Sequence, residues 1–168
     1  LIGYLYYYGK GVQQDNKKAR KWFKLSAMQG HASAQSMLGY FYDNGLGGKQ
    51  DVIESIKWYK MSAKQGDATS MYNIGNTYYY GEGVDQDFAE ALKWFNKAAQ
   101  KDEDNAIYAL GYMNENGIGG IPKNLEKAMY YYNRLVEFNR GLAFHGLGRV
   151  YLLNPKRVSD EQVGINYL

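Results

Sequence analysis

One pattern recurs along this chain at a fixed spacing of about 36 residues, and this repeat constrains the fold more than any other feature. Three tryptophans mark the spacing, and a Gly-x-Gly pair and an aspartate keep the same step. The recurring residues are Trp22, Trp58 and Trp94, the glycine pairs Gly9/Gly11, Gly45/Gly47, Gly81/Gly83 and Gly117/Gly119, and the acids Asp15, Asp51 and Asp87. Such a period is typical of a solenoid, in which each unit stacks on its neighbours to bury a shared core.

The third unit, residues 68–104, has the pattern of two amphipathic helices joined by a short loop. The first, called helix A, repeats its apolar positions at helical spacing and is predicted to end near Tyr80, before Gly81. Asp87 is then expected to cap the second, called helix B, with Glu90 three residues later as in a capping box. Each unit is therefore predicted to be a helix pair.

The contact between helices A and B is predicted from two further recurring features. A glycine lies in the middle of every helix A, which costs about 1 kcal/mol against alanine unless a neighbour must approach closely. Its recurrence indicates that helix B packs there. Helix B carries an adjacent aromatic pair, and in the third unit we expect both Trp94 and Phe95 to fill the groove between repeats. The helix A glycines are Gly3, Gly39, Gly75, Gly111 and Gly148.

The register divides the chain into five units at about residues 1–31, 32–67, 68–104, 105–140 and 141–168, of which the first and last are truncated. Unit four has one extra residue, so its cap is expected at Asn124. In unit five Asn154-Pro155 is expected to form the turn after helix A, with Asp160 and Tyr167 at the cap and aromatic positions of a final helix B. Because both ends fall inside a repeat, we expect the array to continue beyond this chain.

Composition and motifs argue against the common catalytic and nucleic-acid-binding classes. The net charge of +3 is spread over scattered residues, without the basic block that binds nucleic acid. No cysteine is present, and His31 and His145 are too far apart for a metal site. The Gly-x-Gly loops lack the lysine and the strand of phosphate-binding motifs. We therefore predict no enzyme activity, no cofactor, no metal and no membrane span in this segment.

An acidic cluster, Asp102-Glu103-Asp104, occupies a turn where other units have Gly30-His31 or Gly66-Asp67. We interpret it as a solvated turn, with a cation or a basic partner peptide as the alternative.

The repeat resembles the Sel-1-like repeat family, which is related to the tetratricopeptide repeats, and the resemblance covers essentially the whole chain. The family pattern combines a Leu-Gly helix A, a Gly-x-Gly-Val loop, a capping Asp, an aromatic pair and a small pair. The matching residues are Leu38-Gly39, Gly81-x-Gly83-Val84, Asp15, Lys18-Ala19, Trp22-Phe23, Ala98-Ala99 and Gly66-Asp67. An ordinary tetratricopeptide repeat has a period of about 34 residues and lacks the Gly-x-Gly loop.

The resemblance implies an all-α, right-handed superhelical solenoid of antiparallel helix pairs, with helix A on the concave side. It also implies a scaffold or adaptor that binds proteins or peptides within a larger complex. Members of the family with such a role include an adaptor of the ubiquitin ligase for endoplasmic-reticulum-associated degradation. The alternative is a regulatory or accessory region of a larger enzyme complex, such as a mitochondrial assembly factor or a bacterial host-interaction protein. The endoplasmic-reticulum lumen, mitochondrion, cytoplasm and bacterial secreted or periplasmic space all stay open as compartments.

A row of non-repeating residues on helix A is the candidate partner-binding surface, which we call the helix-A stripe. Its positions lie three residues before, one after and four after the helix glycine, which places them on one helical face. Tyrosine is frequent there and is enriched at binding hot spots. The alternative is that these tyrosines pack between neighbouring A helices. The stripe consists of Tyr4, Tyr7, Ser36, Tyr40, Asp43, Tyr72, Asn76, Tyr79, Tyr108, Tyr112, Glu115 and Arg149.

Overall fold

The computed structural model describes residues 2–137 and 141–153, and these ranges contain nine α-helices and no strand. The odd-numbered helices are the predicted A helices and the even-numbered ones the predicted B helices. The expected turn at Asn154-Pro155 and the expected helix at Asp160 and Tyr167 lie outside the described residues. The helices are α1 (Ile2–Tyr8), α2 (Asn16–Met28), α3 (Ala32–Asp43), α4 (Val52–Lys64), α5 (Ala68–Tyr80), α6 (Phe88–Ala99), α7 (Asp104–Asn116), α8 (Leu125–Glu137) and α9 (Gly141–Leu153).

The chain forms two compact units, residues 1–86 with α1 to α5 and residues 87–168 with α6 to α9. Within each unit every helix packs against the next helix in the chain. In addition, α3 contacts α5 in the first unit and α7 contacts α9 in the second. Contact of one A helix with the next is what a stack of helix pairs requires.

The predicted helix caps are present at the starts of the B helices. Each capping side chain accepts a hydrogen bond from the main-chain N–H three residues later, which satisfies a donor that the first helical turn would leave unpaired. The cap shift caused by the extra residue of unit four is also confirmed. The bonds are Lys18 N to Asp15 Oδ1 at 3.0 Å, Glu54 N to Asp51 Oδ1 at 2.9 Å, Glu90 N to Asp87 Oδ1 at 2.9 Å and Lys127 N to Asn124 Oδ1 at 2.9 Å.

The helix A glycine lies directly against an aromatic ring of helix B, as the recurring glycine predicts. A Cβ atom added at Gly39 would lie 2.6 Å from Cδ1 of Tyr59, and one at Gly111 would lie 2.5 Å from Cε1 of Tyr132. The same contact joins Gly3 to Phe23 at 2.9 Å. The absence of a side chain at these glycines therefore sets the close approach of helices A and B.

In the first three aromatic pairs only the second residue is buried, whereas in the fourth both Tyr131 and Tyr132 are, at 8% and 0% exposure. Phe95 is 1% exposed, but Trp94 is half-buried and Trp22 is 40% exposed. Of the two aromatics predicted to fill the groove, Phe95 is therefore buried and Trp94 is buried only in part. Consecutive helical residues point about 100° apart, so one ring of an adjacent pair faces the core while the other lies at its flank. There the indole N–H of Trp94 donates to Glu90 Oε1 at 2.7 Å.

The loop after helix A closes with a left-handed glycine and a recurring glutamine. Gly81 has a φ of 70° and donates its N–H to the carbonyl of Thr77, which ends α5 where the sequence predicts. The side chain of Gln86 then donates to the carbonyl of Tyr79 at 2.8 Å. Gln14 and Gln50 make the equivalent bonds to Tyr7 and Asp43.

Candidate partner-binding surface

All twelve residues of the helix-A stripe lie on A helices, eight in the first compact unit and four in the second. Tyr40 and Tyr112 are exposed, at 37% and 39%, while Glu115 is buried at 3%. The other nine are partly buried. The stripe is therefore a mixture of accessible positions and positions engaged within the fold.

The tyrosines of α1 rest on core aromatics. Tyr4 meets Phe23 edge to face with ring centroids 5.0 Å apart, and Tyr7 is tilted against Phe41 at 5.3 Å. Partial burial raises the pKa of Tyr4, and the neighbouring Tyr40 hydroxyl, followed by burial, raises that of Tyr7. Packing and exposure therefore coexist, since each ring has one face on the core and part of its surface in solvent.

An apolar cleft of about 340 Å³ runs beside Tyr4. Trp22 and Leu25 of α2, exposed by 40% and 45%, line it together with Phe23 and Ala34. The cleft places accessible apolar surface next to one end of the stripe in the first unit.

Ser36 is held inside a polar contact between α3 and its neighbours. Its hydroxyl donates to Oδ1 of Asp67 at 3.3 Å and accepts from the hydroxyl of Ser70 at 3.0 Å. Asp67 also caps α5 by accepting from the N–H of Ser70. Ser36 thus links two A helices.

Glu115 and Arg149, two stripe residues of the second unit, bind each other. Arg149 Nε donates to Glu115 Oε1 and Arg149 Nη2 to Glu115 Oε2, both at 2.9 Å. The hydroxyl of Tyr132 donates to Glu115 Oε2 at 2.7 Å. The bidentate geometry and the third donor satisfy a carboxylate that is otherwise removed from water.

The ionisation of these groups follows from the same contacts. Burial alone would raise the pKa of Glu115, but Arg149 and Tyr132 outweigh it and hold that pKa below its ordinary value. Burial and the Glu115 charge raise the pKa of Tyr132, and Glu115 raises the pKa of Arg149. The cluster is thus a charged ion pair with a neutral tyrosine.

The remaining stripe tyrosines of the second unit surround this ion pair. Tyr108 is tilted against the ring of Tyr132, with centroids 5.6 Å apart. The guanidinium of Arg149 lies 5.9 Å from the ring centroid of the exposed Tyr112.

Asp43 and Asn76 come together in the first unit at a small polar cavity of about 60 Å³. It is lined by Asp43, Asn73, Asn76, Thr77, Tyr80 and Glu82. Burial, and then the charge of Glu82, raise the pKa of the Asp43 carboxyl. Tyr72 and Tyr79 lie on the same helix, α5, and are partly buried.

The acidic turn after α6 contains an ion pair. Nη2 of Arg134 donates to Asp102 Oδ1 at 2.6 Å and to the carbonyl of Ala99 at 2.7 Å. Asp102 has a φ of 58°, the left-handed conformation that Gly30 and Gly66 adopt in the earlier turns. Asp102 is exposed while Glu103 and Asp104 are partly buried, and Glu103 accepts a hydrogen bond from the side chain of Asn105.

Within residues 2–137 and 141–153, no three or more His, Cys, Asp or Glu side chains are close enough together to bind a metal ion. His31 precedes α3 and is exposed, and His145 is exposed on α9. Of the helices described, none combines the length and apolar character that crossing a membrane requires.

Sequence reasoning missed several polar residues that maintain the unit. Besides the loop glutamines, Gln35 is buried at 2% and donates to the carbonyl of Ala27 at 3.2 Å, while its own Oε1 accepts from Gln65 at 2.8 Å. The signal for the loop glutamines was available, because they recur immediately before the capping aspartate at the spacing of the tryptophans.

Comparison with known proteins supports the repeat assignment. The family model described as the Sel1 repeat matches four times, over residues 1–31, 32–67, 68–103 and 104–137. No match was found among the curated proteins.

Several solved structures are similar to this chain, two of them from bacteria. One is a protective antigen of uropathogenic Escherichia coli strains that displays an SLR fold, with 28% identity and a TM-score of 0.83 over 90% of this chain and 32% of that chain. The other is a Sel1 repeat protein from Oxalobacter formigenes, with 33% identity and a TM-score of 0.80 over 89% of this chain and 59% of that chain. The chain thus spans less than two thirds of the length of either protein. The similarity in structure confirms the predicted all-α solenoid fold.

Proposed function

Because this chain belongs to the Sel1 repeat family, we propose that it is a scaffold or adaptor that binds partner proteins or peptides through the helix-A stripe, as part of a larger complex. Sel1 repeats are a non-enzymatic scaffold fold and generally mediate protein–protein interactions. The proposal for this chain concerns which surface binds and what kind of partner it takes.

The observation that carries the proposal is the pair Tyr40 and Tyr112, exposed on the surfaces of two A helices whose neighbouring residues are buried. Tyr40 meets the buried Phe41 edge to face at 6.4 Å, so its ring is oriented while 37% of the residue stays exposed. A tyrosine held in this way offers contact area and a polar group at low entropic cost.

Two settings remain proposals. In the first, the chain is part of an adaptor of the ubiquitin ligase for endoplasmic-reticulum-associated degradation. In the second, it is an accessory region of a larger complex, including a mitochondrial assembly factor or a bacterial host-interaction protein. Two of the similar solved structures come from bacteria, and one of these is described as a protective antigen, which supports the bacterial form of the second setting.

The test is affinity capture with the wild-type chain and with the double variant Tyr40→Ser/Tyr112→Ser, followed by mass spectrometry. We expect partners recovered by the wild-type chain to be lost with the variant, because two accessible aromatic contacts are removed. Recovery of ubiquitin-ligase subunits would select the first setting.

The matched control is Tyr130→Ser, which removes a tyrosine that is 60% exposed on α8, a B helix. Its captured partners should equal those of the wild-type chain, and circular dichroism should show unchanged helix content for both variants. Unchanged capture by the folded double variant would exclude these stripe positions as the binding surface.

A further inference from the structure

The two compact units contain equivalent three-residue arrangements that differ in the length of the acid and in the charge of the third residue. In the second unit the arrangement consists of Glu115, four residues after the helix glycine, the helix B ring Tyr132, and Arg149, one residue after the next helix A glycine. By the same register, the first unit places Asp43, Tyr59 and Asn76 at these positions. An acid and a buried tyrosine are thus retained, while asparagine stands where the other unit has arginine.

In the second unit the chain supplies its own cation. Arg149 gives Glu115 two parallel hydrogen bonds of 2.9 Å, and Tyr132 donates the third at 2.7 Å. The arrangement shows how this backbone geometry holds a guanidinium between two A helices.

In the first unit the corresponding groups lack such a partner. Neither a hydrogen bond nor an ion pair to the Asp43 carboxylate is found in the described part of the chain. The hydroxyl of Tyr59, a residue only 1% exposed, is buried without a hydrogen-bond partner among the described residues. The side chains of Asn73 and Ser55 lie near it but do not reach hydrogen-bonding geometry. A buried polar group without a partner costs free energy, so this hydroxyl needs explaining.

Beside Asp43 and Asn76 lies a small pocket, which Tyr59 itself does not line. Its volume of about 60 Å³ exceeds the roughly 10–15 Å³ that one water molecule needs. Asp43 and Glu82 both line it, together with the amides of Asn73 and Asn76, and its lining residues include no lysine or arginine. Burial is the main cause that raises the pKa values of Asp43 and Tyr59, and the charge of Glu82 adds to the shift at Asp43 as the charge of Asp43 does at Tyr59. The charge contributions indicate a negative potential at these residues.

We propose that this cavity receives the guanidinium of an arginine side chain from a partner peptide, in the place that Arg149 fills within the chain in the second unit. The inference rests on the proposed binding function and gives that function a partner chemistry. The Asp43 carboxylate accepts two parallel hydrogen bonds from the guanidinium, and the Glu82 carboxylate adds negative charge. A guanidinium fits better than an ammonium because its planar donors match a carboxylate in two parallel bonds.

The first test supplies the arginine from the chain itself. Asn76→Arg should raise the melting temperature by a few degrees, because the new guanidinium would pair with Asp43. Asn76→Met, which has an unbranched side chain without charge, is the matched control and should not give the gain. The double variant Asp43→Asn/Asn76→Arg should lose it. An Asn76→Arg variant no more stable than Asn76→Met would overturn the proposal.

The second test measures binding by the wild-type chain. N-acetyl-arginine amide is titrated into ¹⁵N-labelled protein, and amide shifts are followed by NMR. We expect shifts around Asp43, Asn76 and Tyr80, an at least tenfold weaker response with N-acetyl-norleucine amide, and an at least tenfold loss in Asp43→Asn and Asn76→Arg.

Two outcomes of that titration would contradict the proposal. Equal responses to the arginine and norleucine probes would show that the cavity does not recognise the guanidinium. Calcium chloride that shifts the same amides and displaces the arginine probe would identify a metal-ion site instead. Neither outcome depends on Tyr40 and Tyr112, so failure here and failure of the wider binding proposal are distinguishable.

Discussion

Gly39 illustrates how a single missing side chain positions two helices. A Cβ at this residue would meet Cδ1, Cε1 and Cγ of the Tyr59 ring at 2.6, 2.8 and 3.0 Å. The ring is itself 1% exposed and has no room to move away. The contact therefore tolerates no added carbon without shifting α3 or α4.

We predict that Gly39→Ala destabilises the first unit although alanine is the better helix former. Overpacking costs about 1–3 kcal/mol, against a helix-propensity gain of about 1 kcal/mol, so the net loss should be up to about 2 kcal/mol. Urea unfolding followed by circular dichroism measures it. Gly141→Ala is the control, because nothing lies within 4 Å of a Cβ there, and it should be neutral or slightly stabilising. Equal effects of the two changes would contradict the contact.

The two equivalent tyrosines, Tyr59 and Tyr132, are predicted to respond oppositely to loss of their hydroxyls. Tyr132→Phe removes a 2.7 Å hydrogen bond to a buried carboxylate and should cost about 1.5–3 kcal/mol. Tyr59→Phe removes a hydroxyl buried without a partner and should cost nothing or gain about 1 kcal/mol. Chemical denaturation of both variants provides the comparison, and a loss in Tyr59→Phe as large as in Tyr132→Phe would be inconsistent with the structure.

At the scale of the helix, the capping aspartates fix where each B helix begins. Asp51 has an extended backbone with a φ of −151° and accepts from the N–H of Glu54, so the helix starts at Val52. The N–H of Asp51 in turn donates to the carbonyl of Tyr42 at 2.9 Å, which ties the helix start to the end of α3. One residue thus links two helices of the same unit.

We predict that Asp51→Ala costs about 1 kcal/mol, within the usual range for loss of an N-cap side chain. The backbone bond to Tyr42 survives the substitution, so the helix should fray rather than detach. Thermal unfolding by circular dichroism gives the magnitude, with Asp85→Ala, an exposed loop aspartate that caps no helix, as the charge-matched control. A control as destabilised as the cap variant would mean that the effect is one of net charge.

The helices and their caps could be predicted from the sequence because they depend on local spacing. Asp87, Gly81 and the helix A glycines recur in register, and each acts on residues within its own unit. The burial of Glu115 could not be predicted in this way. Helical periodicity placed Glu115 and Arg149 on the outward face of their helices, but the contact between α7 and α9 brings the two together. The partial exposure of Trp94 could not be predicted for a related reason. Residue spacing shows that a pair is aromatic but not which of the two rings faces the core.

At the scale of the molecule, buried ionisable side chains limit the pH range in which the folded chain is stable. Glu115 sets the acid limit, and Tyr59 and Tyr132 set the alkaline limit. Glu115 has a lowered pKa, so its contribution is present above the unfolded value of about 4.3 and is lost as pH falls through the folded value. Tyr59 and Tyr132 have raised pKa values, so stability is present below the unfolded value of about 10 and is lost above it, where only the unfolded chain ionises them.

We therefore predict a plateau of stability between about pH 5 and pH 9, with losses on both sides. Melting temperatures measured across pH 3 to 11 would show it. Tyr59→Phe should reduce the alkaline loss and leave the acid side unchanged, which separates the two contributions. An alkaline loss of equal size in Tyr59→Phe would refute the role of this tyrosine.

The glycine-to-ring contact also governs how such a chain can change. In each helix pair where the contact is described, the distance between helix A and helix B is set by the thickness of one aromatic ring, whether that ring is Phe23, Tyr59 or Tyr132. Any of these three rings therefore keeps the same close approach of the two helices within its own pair. Asn76 and Arg149, which take no part in these glycine-to-ring contacts, can then differ between units, so binding preferences can diversify while the approach of helices A and B within a pair is preserved.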